Sequence, residues 1–323
     1  MTIPPQKIKK ILFISLSNIG DAILTTPALD LARRFFRNAE ITVMAGPRAQ
    51  EVFLNHPQIQ HLIIYDKHSK LREKISWMIR LKEEHFDLVI DLKNSLIPWL
   101  IQPRFSTGLI HRKKRIHASK QHLSRLMNLG IDGPSRYVIP QTTEDHDKVL
   151  KLLSDCGLGW GTPYIVIGPG AASSLKQWEI EKFKALGDLI RENHRVPIVI
   201  VGAKADRNRF LGVFPRDRWI NLSGELTLQQ LGVLLKYARL FVTNDSGPMH
   251  LAAALSTPVV AIFGPTDHRV YGPEGAKHRI VRLDLPCSPC MAGHCLIKTH
   301  DCIKKLEVAK VYQSVCEVLQ SPI

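Results

Sequence analysis

Short apolar runs alternate with helical patterns along the first half of the chain. The apolar runs fall at residues 10–15, 41–44, 61–65 and 87–91. Between them, residues 29–36 and 71–84 carry apolar positions at helical spacing. Continuous apolar strands that alternate with amphipathic helices are typical of a parallel sheet covered on both faces. The pattern predicts an α/β fold with a doubly wound parallel sheet.

The same alternation starts again after a Gly/Pro-rich stretch at 157–163. Apolar runs follow at 164–168, 197–201, 240–243 and 258–263, with helical patterns at 180–191, 228–237, 248–255 and 307–319. Because Gly and Pro interrupt regular structure, we predict one domain over 1–157 and a second over 158–304. Two such domains in series predict a cleft, with ligands at the carboxyl ends of the strands.

The loop after the first strand contains Asn18, Gly20 and Asp21. A glycine here lets backbone approach a ligand, and the start of the next helix can hold an anion. The G-x-G-x-x-G pattern of dinucleotide binding is absent. Asp21 has two readings, a carboxylate at the mouth of the cleft or a helix N-cap, which Asp fills well.

Small and hydroxyl residues follow the first strand of the second domain. Ser173 and Ser174 leave backbone N–H groups room to face a ligand, and Lys176 supplies a mobile charge suited to phosphate. The alternative is an ordinary loop with a surface lysine.

The segment 243–250 places polar residues between two strongly apolar segments. It reads Thr-Asn-Asp-Ser-Gly-Pro-Met-His. Exposed N–H groups and the helix dipole at such a turn hold a diphosphate without a metal. We therefore predict nucleotide-donor contacts from Asn244, Asp245, Ser246, Gly247, Met249 and His250; a well-capped helix without a ligand is the alternative. Gly202 and Asn221 end neighbouring strands and are weaker candidates for a nucleoside pocket.

Four cysteines lie in one loop with the spacing C-x2-C-x4-C-x6-C. They are Cys287, Cys290, Cys295 and Cys302. Four thiolates can bind zinc or an iron–sulfur cluster, which makes a structural zinc one reading. Free thiols and disulfides are the others.

The chain of 323 residues carries 44 Lys+Arg against 29 Asp+Glu, a formal charge of +15. A basic surface attracts phosphorylated ligands, anionic membrane or nucleic acid. The charge is concentrated in places, such as the run of four basic residues from Arg112 to Arg115, which is a solvated loop or an anion-facing patch. No apolar run is long enough to cross a bilayer and the start does not resemble a signal peptide, so we expect a cytoplasmic protein.

Three motifs in combination resemble glycosyltransferase family 9, the lipopolysaccharide heptosyltransferases. They are GDAILTTPAL at 20–29, DLKNS at 91–95 and DSGPMHLAA at 245–253. The segment PCSPC at 286–290 is also similar to a loop of many members. The resemblance spans nearly the whole chain.

The resemblance implies a GT-B fold, in which two Rossmann-like domains face each other across a cleft. It implies an inverting transfer of heptose from ADP-heptose to the lipid A–Kdo or heptosyl inner core, with no required cofactor or metal. Asp21 is then the general base, and Lys176 with the Ser246-Gly247 turn holds the diphosphate. Asn18, Gly20, Lys93, Asn94, Ser95, Arg112 and Arg115 are expected on the acceptor side. The last helix, within 305–323, is expected to pack back on the first domain.

Asn221 stands where some members carry an acidic residue that binds the ribose, so the nucleotide is less firmly indicated than the fold. The only D-x-D match, at Asp145 and Asp147, opens a helix and is read as capping charge. We expect a monomer in peripheral contact with the inner membrane. Three alternatives stay open: a sugar-nucleotide epimerase of the same fold, a transferase that uses another nucleotide sugar, and a nucleic-acid-binding protein. The last accounts poorly for the ligand loops, and the expectation is that nucleic acid is not a partner.

Overall fold

The structure is a computed structural model that describes residues 3–108, 115–159 and 161–320. The chain folds into two compact units, Met1–Pro140 and Gln141–Ile323. Each unit is built on its own parallel sheet.

The sheet of the first unit has five parallel strands among the described residues, in the order β3-β2-β1-β4-β5. Their bounds are β1 Lys10–Ile14, β2 Glu40–Ala45, β3 His61–Ile64, β4 Leu88–Asp91 and β5 Phe105–Ser106. The central strand β1 is flanked by β2 and β4, with Ile11 opposite both Ile41 and Leu88. The strand order reverses between β1 and β4, and ligands of open α/β sheets bind at such a reversal.

The sheet of the second unit has six parallel strands in the described residues, in the order β11-β10-β9-β6-β7-β8. Their bounds are β6 Ile165–Gly168, β7 Ile198–Ile200, β8 Ile220–Asn221, β9 Leu240–Asn244, β10 Val259–Ile262 and β11 Arg279–Val281. Counted within the unit, this is the 3-2-1-4-5-6 order of dinucleotide-binding Rossmann folds. The reversal falls between β6 and β9.

The helices of the first unit connect its strands. Their bounds are α1 Ile19–Ile23, α2 Thr26–Phe35, α3 Leu71–Glu83, α4 Ile97–Ile101 and α5 Ala118–Met127. The helices of the second unit are α6 Thr143–Asp155, α7 Ile180–His194, α8 Arg207–Val213, α9 Leu228–Lys236, α10 Gly247–Ala254, α11 His268–Tyr271, α12 Asp301–Lys304 and α13 Val308–Gln320. None of these described helices is both long enough and apolar enough to cross a membrane.

The domain boundary lies further toward the start of the chain than the Gly/Pro-rich stretch at 157–163 predicts. Helix α6 packs on α9 and therefore belongs to the second unit. Its buried residues Val149 and Leu153 give it an apolar stripe to bury there. The break falls after Pro140, not after residue 157. Asp145 forms a capping box with Thr142 at the start of α6, which confirms the capping interpretation of the D-x-D match.

The last helix also differs from the prediction that it packs back on the first unit. Over its described residues, α13 packs on α7 and on β9, β10 and β11 of the second unit. Its stripe of Val311, Val315 and Val318 is buried in the core of that unit, with Ile190 and Val260. The spacing of the three valines puts them on one face of the helix, and the sheet beneath covers that face.

Candidate active site

The first unit presents Asp21 at the carboxyl end of β1. The residue lies in the first turn of α1, and its carboxylate accepts a hydrogen bond of 3.0 Å from Asn18 Nδ2. Asn18, not Asp21, occupies the N-cap position, so the alternative reading of Asp21 as an N-cap is wrong. Asp21 is half-buried and Gly20 precedes it in the same turn. This leaves a positioned carboxylate that is free of a capping role.

The loop after β4 is held in shape by Asp91, which is 2% exposed. Its carboxylate accepts bonds from the backbone N–H of Lys93 at 2.8 Å and of Ser95 at 2.6 Å, and from Ser95 Oγ at 2.9 Å. Asn94, between them, adopts a left-handed backbone at φ 58°, which asparagine tolerates better than most residues. Asp91 therefore fixes the loop that carries the three predicted acceptor residues.

A cavity of about 250 Å³ opens at the carboxyl ends of β1 to β4. It is lined by Ser15, Gly46, Tyr65, Lys93 and Ser95, and by apolar side chains from α3 and α4, namely Met78, Leu96, Ile97 and Leu100. The Lys93 ammonium lies 6.0 Å from the centre of the Tyr65 ring. Burial, and next the nearby charge of Lys67, lower the pKa of Lys93. One cation in a half-apolar cavity suits an anionic group attached to an apolar body.

The predicted acceptor residues near the basic loop are only partly described. Arg115 is exposed just before α5. Arg112 lies outside the described residues.

In the second unit, the structure brings Lys176 and Asp245 together. Lys176 ends a short 3-10 helix, Ser174–Lys176, in the loop after β6, and Asp245 follows β9. The two strands are neighbours across the reversal of strand order. Lys176 Nζ lies 2.7 Å from Asp245 Oδ2, although this carboxylate oxygen makes no directional hydrogen bond. At that separation the contact is an ion pair.

Helix α10 begins at Gly247 without a side-chain cap. Ser246 is the N-cap residue, and its Oγ lies 3.3 Å from Thr243 Oγ1 instead of bonding to the helix. A helix start without a capping side chain has N–H groups to offer an anion. Pro248 follows in the first turn, and Met249 and His250 are buried after it. The predicted donor residues Ser173 and Ser174 lie in the loop that carries Lys176.

Asn244 has a different role from the predicted donor contact. It is fully buried; its Oδ1 accepts from the backbone N–H of Trp178 at 3.1 Å, and its Nδ2 donates to the Pro169 carbonyl at 2.7 Å. Both functional groups of the side-chain amide are thereby engaged. Asn244 ties the loop after β6 to β9, so it positions the segment that carries Lys176.

Asn221 and Gly202 both take part in the packing of the second unit. Asn221 is 2% exposed; its Nδ2 donates to the Phe214 carbonyl at 2.9 Å and its Oδ1 accepts from the Ser223 N–H at 3.1 Å. A Cβ on Gly202 would come within 2.5 Å of the Phe210 ring. Asn221 is engaged by backbone groups of its own unit, and the predicted nucleoside contacts of Asn221 and of half-buried Gly202 stay predictions.

Thr266 and Asp267, which follow β10, were missed by the sequence reasoning. β10 is the neighbour of β9, and the Asp245 N–H donates to the Ile262 carbonyl at 3.0 Å. Asp267 is buried and bonds to Arg269, which lowers the pKa of its carboxyl to about 2. Three residues, 263–265, separate them from the end of β10, so a search for polar residues directly after an apolar strand does not find them.

The four cysteines of the 287–302 loop line one cavity of about 20 Å³, together with His294 and His300. Burial, and next the other three thiols, raise the pKa of Cys302 to about 11. All four are free thiols, and the described residues contain no group of three Cys, His, Asp or Glu side chains arranged to hold a metal ion. This arrangement gives the zinc interpretation no support, and the four cysteines form no disulfide bond.

The cysteine loop contacts both neighbouring ligand loops. His300 Nε2 lies 2.7 Å from the Leu175 carbonyl, next to Lys176. Ser288 Oγ donates to the Gly264 carbonyl at 2.6 Å, and the Met291 N–H donates to the Pro265 carbonyl at 2.9 Å. The loop therefore braces the segments that carry Lys176 and Thr266.

Known proteins are similar to this chain in sequence and in fold. A lipooligosaccharide heptosyltransferase 2 of Campylobacter jejuni is 28% identical over 321 residues, which cover 94% of this chain and 96% of the relative. A solved glycosyltransferase family 9 structure from Veillonella parvula has a TM-score of 0.80 at 25% identity, over 96% of this chain and 97% of that one. An Escherichia coli heptosyltransferase solved with ADP-2-deoxy-2-fluoro heptose has a TM-score of 0.69 at 20% identity, over 95% and 99%.

The family model "Glycosyltransferase family 9 (heptosyltransferase)" matches residues 75–300, more than half of the chain. The match includes the loop after β4 and the ligand loops of the second unit. The chain belongs to glycosyltransferase family 9 and is a glycosyltransferase.

Proposed function

We propose that this enzyme transfers heptose from ADP-heptose to the inner core of a lipopolysaccharide, with inversion at the anomeric carbon. The observation that carries the proposal is the pairing of Lys176 with Asp245 beside the uncapped start of α10. A cation and a helix start at the reversal of strand order suit a diphosphate. The relative of C. jejuni supports heptose as the sugar by its name.

The leaving group in this reaction is ADP, and its departure builds negative charge on the β-phosphate. Lys176 supports that charge as a mobile ammonium, and the N–H groups at the start of α10 add a fixed dipole. Asp245 holds the Lys176 ammonium at 2.7 Å. The carboxylate thus keeps the lysine extended toward the helix start, and the incoming diphosphate takes up the same charge.

Asp21 is the proposed general base. Its carboxylate is oriented by Asn18 and lies in the first turn of α1, directly after the loop at the end of β1. Transfer to a sugar hydroxyl requires one group to accept the proton as the anomeric carbon becomes cation-like. Proton transfer then occurs late, when the hydroxyl is acidified by bonding to that carbon.

The acceptor is proposed to lie in the cavity of the first unit. Lys93 supplies a cation for an anionic sugar or phosphate, and the loop shaped by Asp91 presents Asn94 and Ser95. The apolar wall from α3 and α4 suits the lipid-proximal part of a glycolipid. We propose that an anionic glycolipid acceptor brings the enzyme to the cytoplasmic face of the inner membrane, with the exposed Arg115 as a further contact.

The enzyme is proposed to act without a metal, because Lys176 and α10 supply the charge that a metal supplies in other transferases. Transfer that persists in EDTA supports this, and loss of activity that Mg²⁺ or Mn²⁺ restores contradicts it. That the enzyme acts as a monomer stays a prediction from the sequence. A sugar-nucleotide epimerase is not favoured, because the family model and the named relatives are heptosyltransferases.

The test of the donor is a thermal-shift and calorimetric comparison of ADP, UDP and GDP. A ligand that binds only the folded enzyme raises its melting temperature. Selective stabilisation by ADP supports the proposal. Equal or stronger stabilisation by UDP or GDP assigns the enzyme to another nucleotide sugar.

A further inference from the structure

Two helices of the first unit expose an unusual number of large apolar side chains. Leu71, Ile75 and Ile79 are 72%, 51% and 54% exposed on α3. Leu96 and Trp99, at α4, are 68% and 76% exposed. We call these five residues the α3–α4 face.

The face is the outer side of a helix pair whose inner side is already used. Met78 and Leu81 of α3 pack with Ile97 and Ile101 of α4 in the core of the unit. On α3, the exposed residues recur every fourth position, which makes one stripe along the helix. The two helices contact each other, and Met78 of α3 and Leu96 at the start of α4 line the same cavity. Clustered exposed apolar residues of this kind mark a contact site.

The positive charge of the first unit favours an anionic partner for the face. From Asp66 to Glu84 the chain has six Lys and Arg and four Asp and Glu, and residues 1–140 have 22 against 11. Arg72, Arg80 and Lys82 are exposed on α3 itself. Glu73 and Glu83 of α3 are exposed as well, so the excess of cations belongs to the first unit and not to one flank of the helix. Exposed apolar residues on a basic surface suit the interface of an anionic bilayer, and Trp is favoured at that depth. A second copy of so basic a surface would be repelled by it.

We propose that the α3–α4 face docks on an anionic lipid bilayer, with Trp99 and the α3 stripe inserted among the headgroups. The face adjoins the acceptor cavity, because Leu96 is exposed on the outside and also lines the cavity, as does Leu100. Docking there brings the cavity mouth to the membrane. The inference rests on the proposed function in one respect: docking is useful because a lipid-anchored acceptor then enters the cavity without leaving the bilayer.

The test is sedimentation of the full-length protein with vesicles that contain phosphatidylglycerol and phosphatidylcholine, against vesicles of phosphatidylcholine alone. The wild-type protein is expected to bind the anionic vesicles, and less well as salt rises. Trp99→Glu and Ile75→Glu are expected to weaken that binding by roughly tenfold or more. Met127→Glu is the matched control, since Met127 is 51% exposed on α5 of the same unit and lies outside the face.

A second readout is quenching of tryptophan fluorescence by brominated lipid. The wild-type protein is expected to be quenched, and Trp99→Phe is expected to lose most of that quenching while it still sediments. Vesicle binding that is equal in wild type, Trp99→Glu and Ile75→Glu overturns the proposal. So does a dimer that these substitutions dissociate in solution, which would assign the face to a second copy.

A transfer assay in micelles tests the proposed function separately from the docking. With acceptor dissolved in detergent micelles, Trp99→Glu is expected to transfer sugar as wild type does. Loss of face-dependent vesicle binding with intact transfer overturns the docking alone. Face-dependent binding by a protein that transfers no heptose overturns the proposed function alone.

Discussion

Asp21 is held by Asn18 in the first turn of α1, where no capping role competes for its carboxylate. If it is the base, Asp21→Asn keeps the shape and removes the proton acceptor. Transfer is then expected to fall by roughly 10²- to 10⁴-fold, with ADP affinity unchanged. Steady-state rates and calorimetry check this, with Asp155→Asn at the exposed end of α6 as the control. Near-normal transfer by Asp21→Asn would remove the base assignment.

Lys176 carries the matching prediction for the donor. A hydrogen bond to a charged group contributes about 1.5–3 kcal/mol, so Lys176→Ala is expected to weaken ADP binding by roughly 10- to 100-fold. Lys184→Ala, which breaks an exposed pair with Asp188 on α7, is expected to leave affinity unchanged. Equal ADP affinities of Lys176→Ala and wild type, measured by calorimetry, would place the lysine outside the site.

Among the loops that end the strands, the sequence predicts which ones face the ligand but not which of their residues are free to touch it. Asn244, Asn221 and Lys176 all lie where polar residues follow apolar strands. Only the structure shows that the two amides are bonded to backbone groups of their own unit, while Lys176 is paired with a carboxylate. Hydrogen bonding across 66 residues, as between Asn244 and Trp178, leaves no local pattern to read.

The cysteine loop is predicted to support donor binding through contact, without touching ADP. His300 holds the Leu175 carbonyl at 2.7 Å, so His300→Ala should loosen the segment that carries Lys176. We expect ADP affinity to fall by about three- to tenfold, the value of one ordinary hydrogen bond. His294→Ala, in the same loop but exposed, is the control. Unchanged affinity in His300→Ala, measured by calorimetry, would show that the loop does not brace the site.

For the molecule as a whole, the alternation of apolar runs predicts both sheets, because buried parallel strands need continuous apolar sequence. The domain boundary and the last helix are not predictable in the same way. Helices α6 and α13 are ordinary amphipathic helices. The apolar stripe of such a helix predicts that it packs on a sheet, but not on which of the two sheets. The structure assigns both to the second unit.

Two buried histidines of the first unit make stability depend on pH. Burial lowers the pKa of both His56 and His122 to about 4. Between pH 6.5 and 4 the unfolded chain binds these protons and the folded chain does not, so stability falls as pH falls. Each histidine is expected to lower the free energy of unfolding by up to about 2 kcal/mol as the pH falls from 6.5 to 5.

Urea unfolding at pH 7 and pH 5 measures this loss. His56→Gln and His122→Gln are expected to reduce the loss, since each removes one titrating group. His68→Gln, at an exposed position, should keep the wild-type loss. If the His56 and His122 variants lose as much stability as wild type between pH 7 and pH 5, these two histidines do not cause the loss.

The most direct test of the proposed function is mass spectrometry of the products formed from ADP-heptose and a Kdo–lipid A acceptor by the purified enzyme. The account predicts one heptose added to the acceptor and one ADP released per transfer, with no product when the acceptor is left out. Epimerised or free sugar formed without acceptor, or no transfer under conditions where ADP binds, would contradict it.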